Sequence, residues 1–220
     1  MKVILFAKEG KPTVKDVVEF LKTHFSETLV YLGNPGDNLP EKVFNEKCDI
    51  LISYLSPWII PRTILDISKF ANINFHPGPP KYPGIGCFNF AIYNEEKTYG
   101  VTAHLMEEKV DTGNIIAVKR FSLPENDSVY KLCRRSYAHM LLLFYNVMDF
   151  ILRNNVLPAS REVWKRKPYL REELNMLCLV KPGMPHREIE KRVKATTYPG
   201  MPGAYLKLSG HRFEYSPKRR

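Results

Sequence analysis

Residues 73–113 read I-N-F-H-P-G-P-P-K-Y-P-G-I-G-C-F-N-F-A-I-Y-N-E-E-K-T-Y-G-V-T-A-H-L-M-E-E-K-V-D-T-G. An apolar run ends in Asn74-x-His76, a Pro/Gly-rich loop follows at once, and a second strand-like run closes on Val110-Asp111-Thr112-Gly113. Strand ends followed by glycine-rich loops are where α/β proteins keep their chemistry. Side chains alternate across a strand, so Asn74 and His76 share a face while Phe75 turns the other way into packing.

On the N-terminal side, strands and helices alternate. Residues 2–7 (KVILFA) form a compact apolar run suited to a strand buried on both faces. Gly10, Lys11 and Pro12 turn the chain, Thr13 is the expected N-cap, and Val14, Val17, Val18, Phe20 and Leu21 make a helical stripe. Strands are expected at 28–32, 49–55 and 72–76, a weak helix at 39–45 and a helix over 61–70. This alternation predicts an α/β fold: a Rossmann-like twisted, mostly parallel sheet with helices on both faces. Neither G-x-G-x-x-G nor G-x-x-x-x-G-K occurs, so the usual dinucleotide and P-loop fingerprints are absent.

On the C-terminal side, 99–106 and 114–121 read as a strand pair, and 128–154 carries the longest helical pattern. That helix closes a main domain at 1–156. From 157 to 220, prolines punctuate a small α+β appendage, with helices expected at 172–178 and 186–195 and a hairpin joining 204–208 to 212–215 across Ser209-Gly210. The hairpin offers itself for pairing across a homodimer.

The chain has 220 residues, 44% hydrophobic and 25% charged, enough for one substantial core. No apolar run reaches the roughly 18 residues of a membrane helix. Lys8 and Glu9 end the first apolar run too early for a signal peptide, so no membrane partner and a cytoplasmic location are expected. The four cysteines, Cys48, Cys87, Cys133 and Cys178, are scattered without a C-x-x-C, which points to free thiols and to no metal. The net charge of +10 favours anionic partners. The excess gathers at Lys165–Lys167, at Arg187, Lys191, Arg192 and Lys194, and at Lys218, Arg219 and Arg220, although each cluster alone is also what a solvated face looks like.

An amide donor beside an imidazole suits acyl transfer. The Asn74 amide can hold a developing oxyanion, and His76 can donate to it or move a proton. Asp111 can fix the His76 tautomer and stabilise its charged form. No Ser or Cys nucleophile is required when the attacking group is a substrate amine. On spacing alone, Asn-x-His is also the pattern of a loop cap beside a satisfied histidine.

The ordered set Asn74-x-His76-Pro77, Tyr82-Pro83-Gly84, Gly100-Val101-Thr102-x-His104 and Asp111-Thr112-Gly113 resembles the formyltransferase catalytic domain, over roughly the first two-thirds of the chain. That family comprises glycinamide ribonucleotide, methionyl-tRNA and sugar-nucleotide N-formyltransferases. The resemblance implies 10-formyltetrahydrofolate as donor, with catalytic Asn74, His76 and Asp111 and a supporting His104. It places the folate among the backbone of residues 53–60 and 106–110, with Tyr54, Ser56, Trp58, Met106, Glu107, Val110 and Asp111 as its lining. Many relatives carry an arginine in the loop after Asn-x-His; here Gly78-Pro79-Pro80-Lys81-Tyr82-Pro83-Gly84 has none, so no arginine contact transfers.

The proline-rich loop looks most like that of the small sugar N-formyltransferases, as do Arg166-Lys167-Pro168-Tyr169 and residues 192–205. The implied acceptor is the amine of a nucleotide-linked, dTDP-type amino-dideoxy sugar of the O-antigen kind. Lys81, Tyr82, Lys165, Arg166, Lys167, Arg192 and Lys194 are then candidates for the acceptor and its pyrophosphate, and Tyr198 or Tyr205 for its base. Glycinamide ribonucleotide and methionyl-tRNA are alternative acceptors; the short remainder after the catalytic domain argues against nucleic acid. A folate- or nucleotide-binding protein without catalysis is the non-enzyme alternative, which the Asn74–His76–Asp111 trio disfavours.

Overall fold

The computed structural model describes residues 1–216, so the basic cluster Lys218–Arg220 lies outside the described residues. Six strands, β1 (Lys2–Lys8), β2 (Glu27–Gly33), β3 (Cys48–Tyr54), β4 (Ser68–His76), β5 (Thr98–Leu105) and β6 (Ile115–Ser122), form one sheet in the order β2-β1-β3-β4-β5-β6. The first four run parallel; β5 returns antiparallel to β4, and β6 antiparallel to β5. The sheet is therefore mostly parallel, with a hairpin added at one edge.

Its two faces differ. One is apolar throughout: Val3, Leu5, Ile50, Ile52, Tyr54, Ile73, Phe75, Val101 and Ala103 pack under α1 (Val14–His24) and α4 (Val129–Asn154). In α1, Val14, Val17 and Leu21 fall on one stripe, and burying each is worth about 1.5–3 kcal/mol. The 26-residue α4 begins where the Ser128 hydroxyl accepts from the Lys131 N–H and ends at Asn155 in the left-handed region. The other face begins apolar, with Ile4, Phe6 and Leu51 under a 3₁₀ turn (Glu41–Asn45) and the short helix α2 (Arg62–Leu65). It then turns polar. Ser53 lies opposite Asn74, Asn74 opposite His104, and His76 opposite Thr102, so one cross-strand step replaces aliphatic side chains with hydrogen-bonding ones.

The helix expected over 61–70 stops at Leu65, and β4 starts at Ser68. The Asn72 side chain donates to the Leu65 carbonyl and accepts from the Ser68 hydroxyl, which ends the helix and turns the chain into the strand. The weak helix at 39–45 is the 3₁₀ turn alone. Thr13 stands at the start of α1 with φ 71°, but its hydroxyl bonds the Tyr54 hydroxyl at 2.9 Å and does not cap the helix.

A short helix, α3 (Cys87–Tyr93), follows the 77–86 loop. Beyond α4, residues 165–169 run beside that loop as a strap. Lys165 N–H donates to Pro80 O at 2.9 Å, Tyr169 N–H to Pro83 O at 2.9 Å, and Ile85 N–H to Tyr169 O at 3.0 Å. The Tyr169 ring stacks on Phe90 at 3.8 Å with the Arg166 guanidinium on its other side. Helices α5 (Arg171–Cys178) and α6 (His186–Thr196) and a small sheet of β7 (Leu179–Val180), β8 (Tyr205–Leu208) and β9 (His211–Glu214) complete the described chain.

Candidate active site

Asp111 is the centre of the polar face. It sits in the tight loop after β5 with φ 51°, and Gly113 closes that loop so tightly that a Cβ there would run into the Leu105 carbonyl. One carboxylate oxygen accepts from His76 Nδ1 at 3.1 Å and from the Gly84 N–H at 2.7 Å. The other lies 3.1 Å from His104 Nε2 and 3.4 Å from Asn74 Nδ2. Asp111, His76 and His104 are 4%, 5% and 2% exposed, so the cluster works out of water. Burial alone would push the Asp111 carboxyl up. The charge of His76, the hydrogen bond and charge of His104, and the Gly84 N–H outweigh it and hold the group well below the usual carboxylate range.

His76 uses both ring nitrogens. Nδ1 faces Asp111, and Nε2 donates to the Tyr82 carbonyl at 2.9 Å. His104 also uses both ring nitrogens. Its Nδ1 donates to the Leu105 carbonyl at 2.7 Å, while Nε2 lies 2.9 Å from Asn74 Nδ2 as well as beside Asp111. With Nε2 protonated, His104 donates to Asp111; with Nε2 bare, it accepts from Asn74.

The cluster opens onto a cleft lined by Ser53, Trp58, Ile59, Ile60, Asn74, His104, Met106, Glu107, Lys109, Val110 and Asp111. Asn74 and Asp111 therefore face the cleft. His104, expected behind them, stands in its wall, whereas His76 lies one step back, joined to the cleft through Asp111. Trp58, Met106, Glu107 and Val110 are also part of its lining. Trp58 is seated by its indole N–H on the Asp37 carbonyl at 2.8 Å and rests on Gly33, where a Cβ would collide with its ring.

Two expected lining residues stand elsewhere. Tyr54 projects from the opposite face, fully buried against Phe75 and Phe144. Its neighbour Ser53 takes the cleft position, as strand alternation requires. Ser56 turns the loop by accepting from the Trp58 N–H at 3.1 Å and is not part of the lining. Ile59, Ile60 and Lys109 line the cleft without having been singled out, and only their places within the 53–60 and 106–110 loops pointed to them.

The acceptor candidates do not converge. The Tyr82 ring is 1% exposed and its hydroxyl is bonded to Glu96, so its carbonyl, not its ring, reaches the cluster. Lys81 pairs with the same Glu96 carboxylate. Arg166 is held by Glu173 and Tyr169. Arg192 bonds Glu188 and the carbonyls of Met176, Leu177 and Leu179, closing the end of α5. Lys194 donates to the Glu125 carbonyl at 2.7 Å. Tyr198 is half-buried against Tyr130, and Tyr205 lies under the Arg212 guanidinium. Lys165 and Lys167 are exposed. Lys165 borders a hollow of about 190 Å³ shared with Lys81 and Arg120.

All four cysteines are free, and burial pushes the Cys87 thiol up to about 12, far from a nucleophile at neutral pH. Among the described residues no helix is long and apolar enough to cross a membrane.

Residues 37–141 match the family model described as formyl transferase. A GDP-perosamine N-formyltransferase of Brucella melitensis is 29% identical over 163 residues, 74% of this chain and 62% of that protein, so the chain spans less than two-thirds of that relative. A sugar N-formyltransferase structure from a Shewanella species superposes with a TM-score of 0.78 at 20% identity, covering 98% of this chain and 96% of that one. A Helicobacter canadensis N-formyltransferase, described in complex with folinic acid and dTDP-3-aminofucose, superposes with a TM-score of 0.74 at 20% identity, covering 96% and 85%.

Proposed function

From the premise that the chain carries a formyl transferase domain, we propose that it moves the formyl group of 10-formyltetrahydrofolate to the amine of a nucleotide-linked amino-dideoxy sugar. One observation carries the reading: Asn74, His104 and Asp111 meet at the polar end of a cleft whose remaining walls include Trp58, Ile60, Met106 and Val110. Apolar walls with a few convergent polar groups suit a flat heteroaromatic ring presenting a reactive carbonyl. The chemistry of these residues suits the formyl-bearing end of a folate, which would supply the formyl carbon.

In this reading the Asn74 amide donates to the formyl oxygen as negative charge develops there; removing such a donor costs about 10²–10³ in rate. The acceptor nitrogen bonds to the formyl carbon and sheds its proton to the bare Nε2 of His104, since both ring nitrogens of His76 already donate. The bond from the formyl carbon to N10 then breaks, and N10 leaves with a proton. Ionised Asp111 holds the positive charge that the imidazoles carry meanwhile. For the acceptor's diphosphate we take the hollow lined by Lys81, Arg120 and Lys165, where Lys165 is exposed while Lys81 is paired with Glu96 and Arg120 with Glu162. We put dTDP-linked sugars first, because the Helicobacter structure described with a dTDP-sugar superposes over 96% of this chain. A homodimer formed through the exposed edge strand β9, and a cytoplasmic setting, belong to the same proposal.

The test is incubation of purified protein with 10-formyltetrahydrofolate and a panel of dTDP- and GDP-linked 3- and 4-amino sugars, read by mass spectrometry. A formyl adduct on at least one panel member is expected. Formylation of glycinamide ribonucleotide with none on any sugar nucleotide would overturn the acceptor assignment.

A further inference from the structure

Trp164 is not among the residues that line the cleft, yet it touches the cluster from behind. Its ring meets His104 at 5.1 Å and His76 at 5.9 Å, edge to face in both cases, at 82° and 76°. Its indole N–H donates to the Gly113 carbonyl at 2.8 Å, so the same side chain grips the turn that carries Asp111. It also immediately precedes the strap, where Lys165 N–H is bonded to Pro80 O. One residue thus bears on both imidazoles, the 106–114 loop and the 77–86 loop. The cleft side of the cluster is lined without it.

A half-buried indole placed this way has two physical effects. It gives the two rings an apolar wall, which fixes their planes toward Asp111. It also keeps water from the imidazole–carboxylate contacts, which strengthens them in the lower local dielectric. Sequence spacing could not show either effect, because Trp164 lies 51 residues from its hydrogen-bond partner.

We propose that Trp164 is a positioning residue for the formyl-transfer cluster: it holds His76 and His104 in register with Asp111 and closes the side away from the donor cleft. This rests on the function proposed above. It predicts that the residue acts on turnover and proton handling, not on donor binding. Misplacing a reacting group by about 1 Å costs about 10²-fold in rate, so Trp164→Ala is expected to lower kcat by roughly ten- to a hundredfold. The KM for 10-formyltetrahydrofolate should stay near that of the unsubstituted protein, and the pH–rate profile should shift. Trp164→Phe keeps the wall but loses the bond to Gly113, and should fall between the two.

The experiment pairs these kinetics with ¹⁵N-edited NMR of the histidine ring protons. The imidazole N–H signals of His76 and His104 should be protected from solvent exchange in the unsubstituted protein, retained in Trp164→Phe and broadened or lost in Trp164→Ala, with circular dichroism confirming a folded sheet in each. Unchanged ring-proton signals in Trp164→Ala, or a loss of activity that only tracks a lowered Tm with the pH profile unmoved, would overturn the proposal. The NMR readout needs no substrate. Absence of formyl transfer by the unsubstituted protein would therefore sink the functional reading alone and leave the role of Trp164 to be decided by the ring protons.

Discussion

The Cβ that Gly78 lacks would stand 2.5 Å from Nε2 of His76 and 2.9 Å from the Tyr82 carbonyl, inside the hydrogen bond that joins those two groups. Any side chain at this position must displace the imidazole or the loop beneath it. Gly78→Ala is expected to leave the sheet intact by circular dichroism while reducing formyl transfer by about a hundredfold, as misplaced catalytic groups do. Full turnover in that variant would show that His76 does not need its Tyr82 contact.

Asp111 should govern the acid limit of stability. Its pKa is lower in the folded chain than in the unfolded one, so the stability it contributes is complete above the ordinary aspartate value near 4 and is lost as pH falls below it, toward the depressed folded value. Asp111→Asn leaves two buried imidazoles without their carboxylate and should cost about 3–5 kcal/mol at neutral pH. Urea titrations from about pH 6 to pH 3 should show the gap between the two proteins narrowing as the pH falls. A gap independent of pH would contradict an ionised Asp111 in the folded state.

Tyr54 separates packing from binding. Tyr54→Phe removes only the hydroxyl bonded to Thr13, a loss of about 1 kcal/mol. Binding of a stable folate such as 5-formyltetrahydrofolate, measured by calorimetry, should be unchanged. A weaker Kd would place the ring at the cleft after all.

Arg192 and Lys165 should behave oppositely. Arg192→Ala strips three carbonyls at the end of α5 of their donor, and an unsatisfied buried group costs about 1–3 kcal/mol. Its Tm should drop with the acceptor KM unchanged. Lys165→Ala is an exposed substitution, expected within about 0.5 kcal/mol in stability, and should raise the KM for a nucleotide-sugar acceptor. Steady-state kinetics beside thermal denaturation separates the two, and an Arg192 variant with raised KM and intact Tm would restore it to the acceptor site.

The positions of the strands along the chain and the Asn74–Phe75–His76 alternation were legible because a strand's period of two is local, and so was the β5–β6 pair, whereas the strand order within the sheet was not. Tyr54 was misplaced for want of the same rule: grouped with a loop, it is the last residue of β3, and its parity with Ile52 assigns it to the core. The short α2 was hidden because Asn72, six residues beyond Asp66, ends it through side-chain bonds. The basic residues were not legible as structural. Arg192 has a local partner in Glu188, but its carbonyl partners and those of Lys194 come through tertiary contacts, and charge in a sequence does not say whether it faces a ligand or a carbonyl. The inward step of His104 depends on its pairing with Asn74, fixed only when β5 folds back along β4.

The strap along the 77–86 loop has a consequence for biosynthesis. A ribosome adds about 5–20 residues per second, so the strands that make up the large sheet emerge first and have time to assemble. The loop that holds His76 and Asp111 in contact, by contrast, keeps three of its backbone partners waiting until Lys165 and Tyr169 have cleared the exit tunnel. The proposed centre is therefore completed only after every strand of the large sheet has been made, and a nascent chain halted within α4 would lack the strap that braces the 77–86 loop.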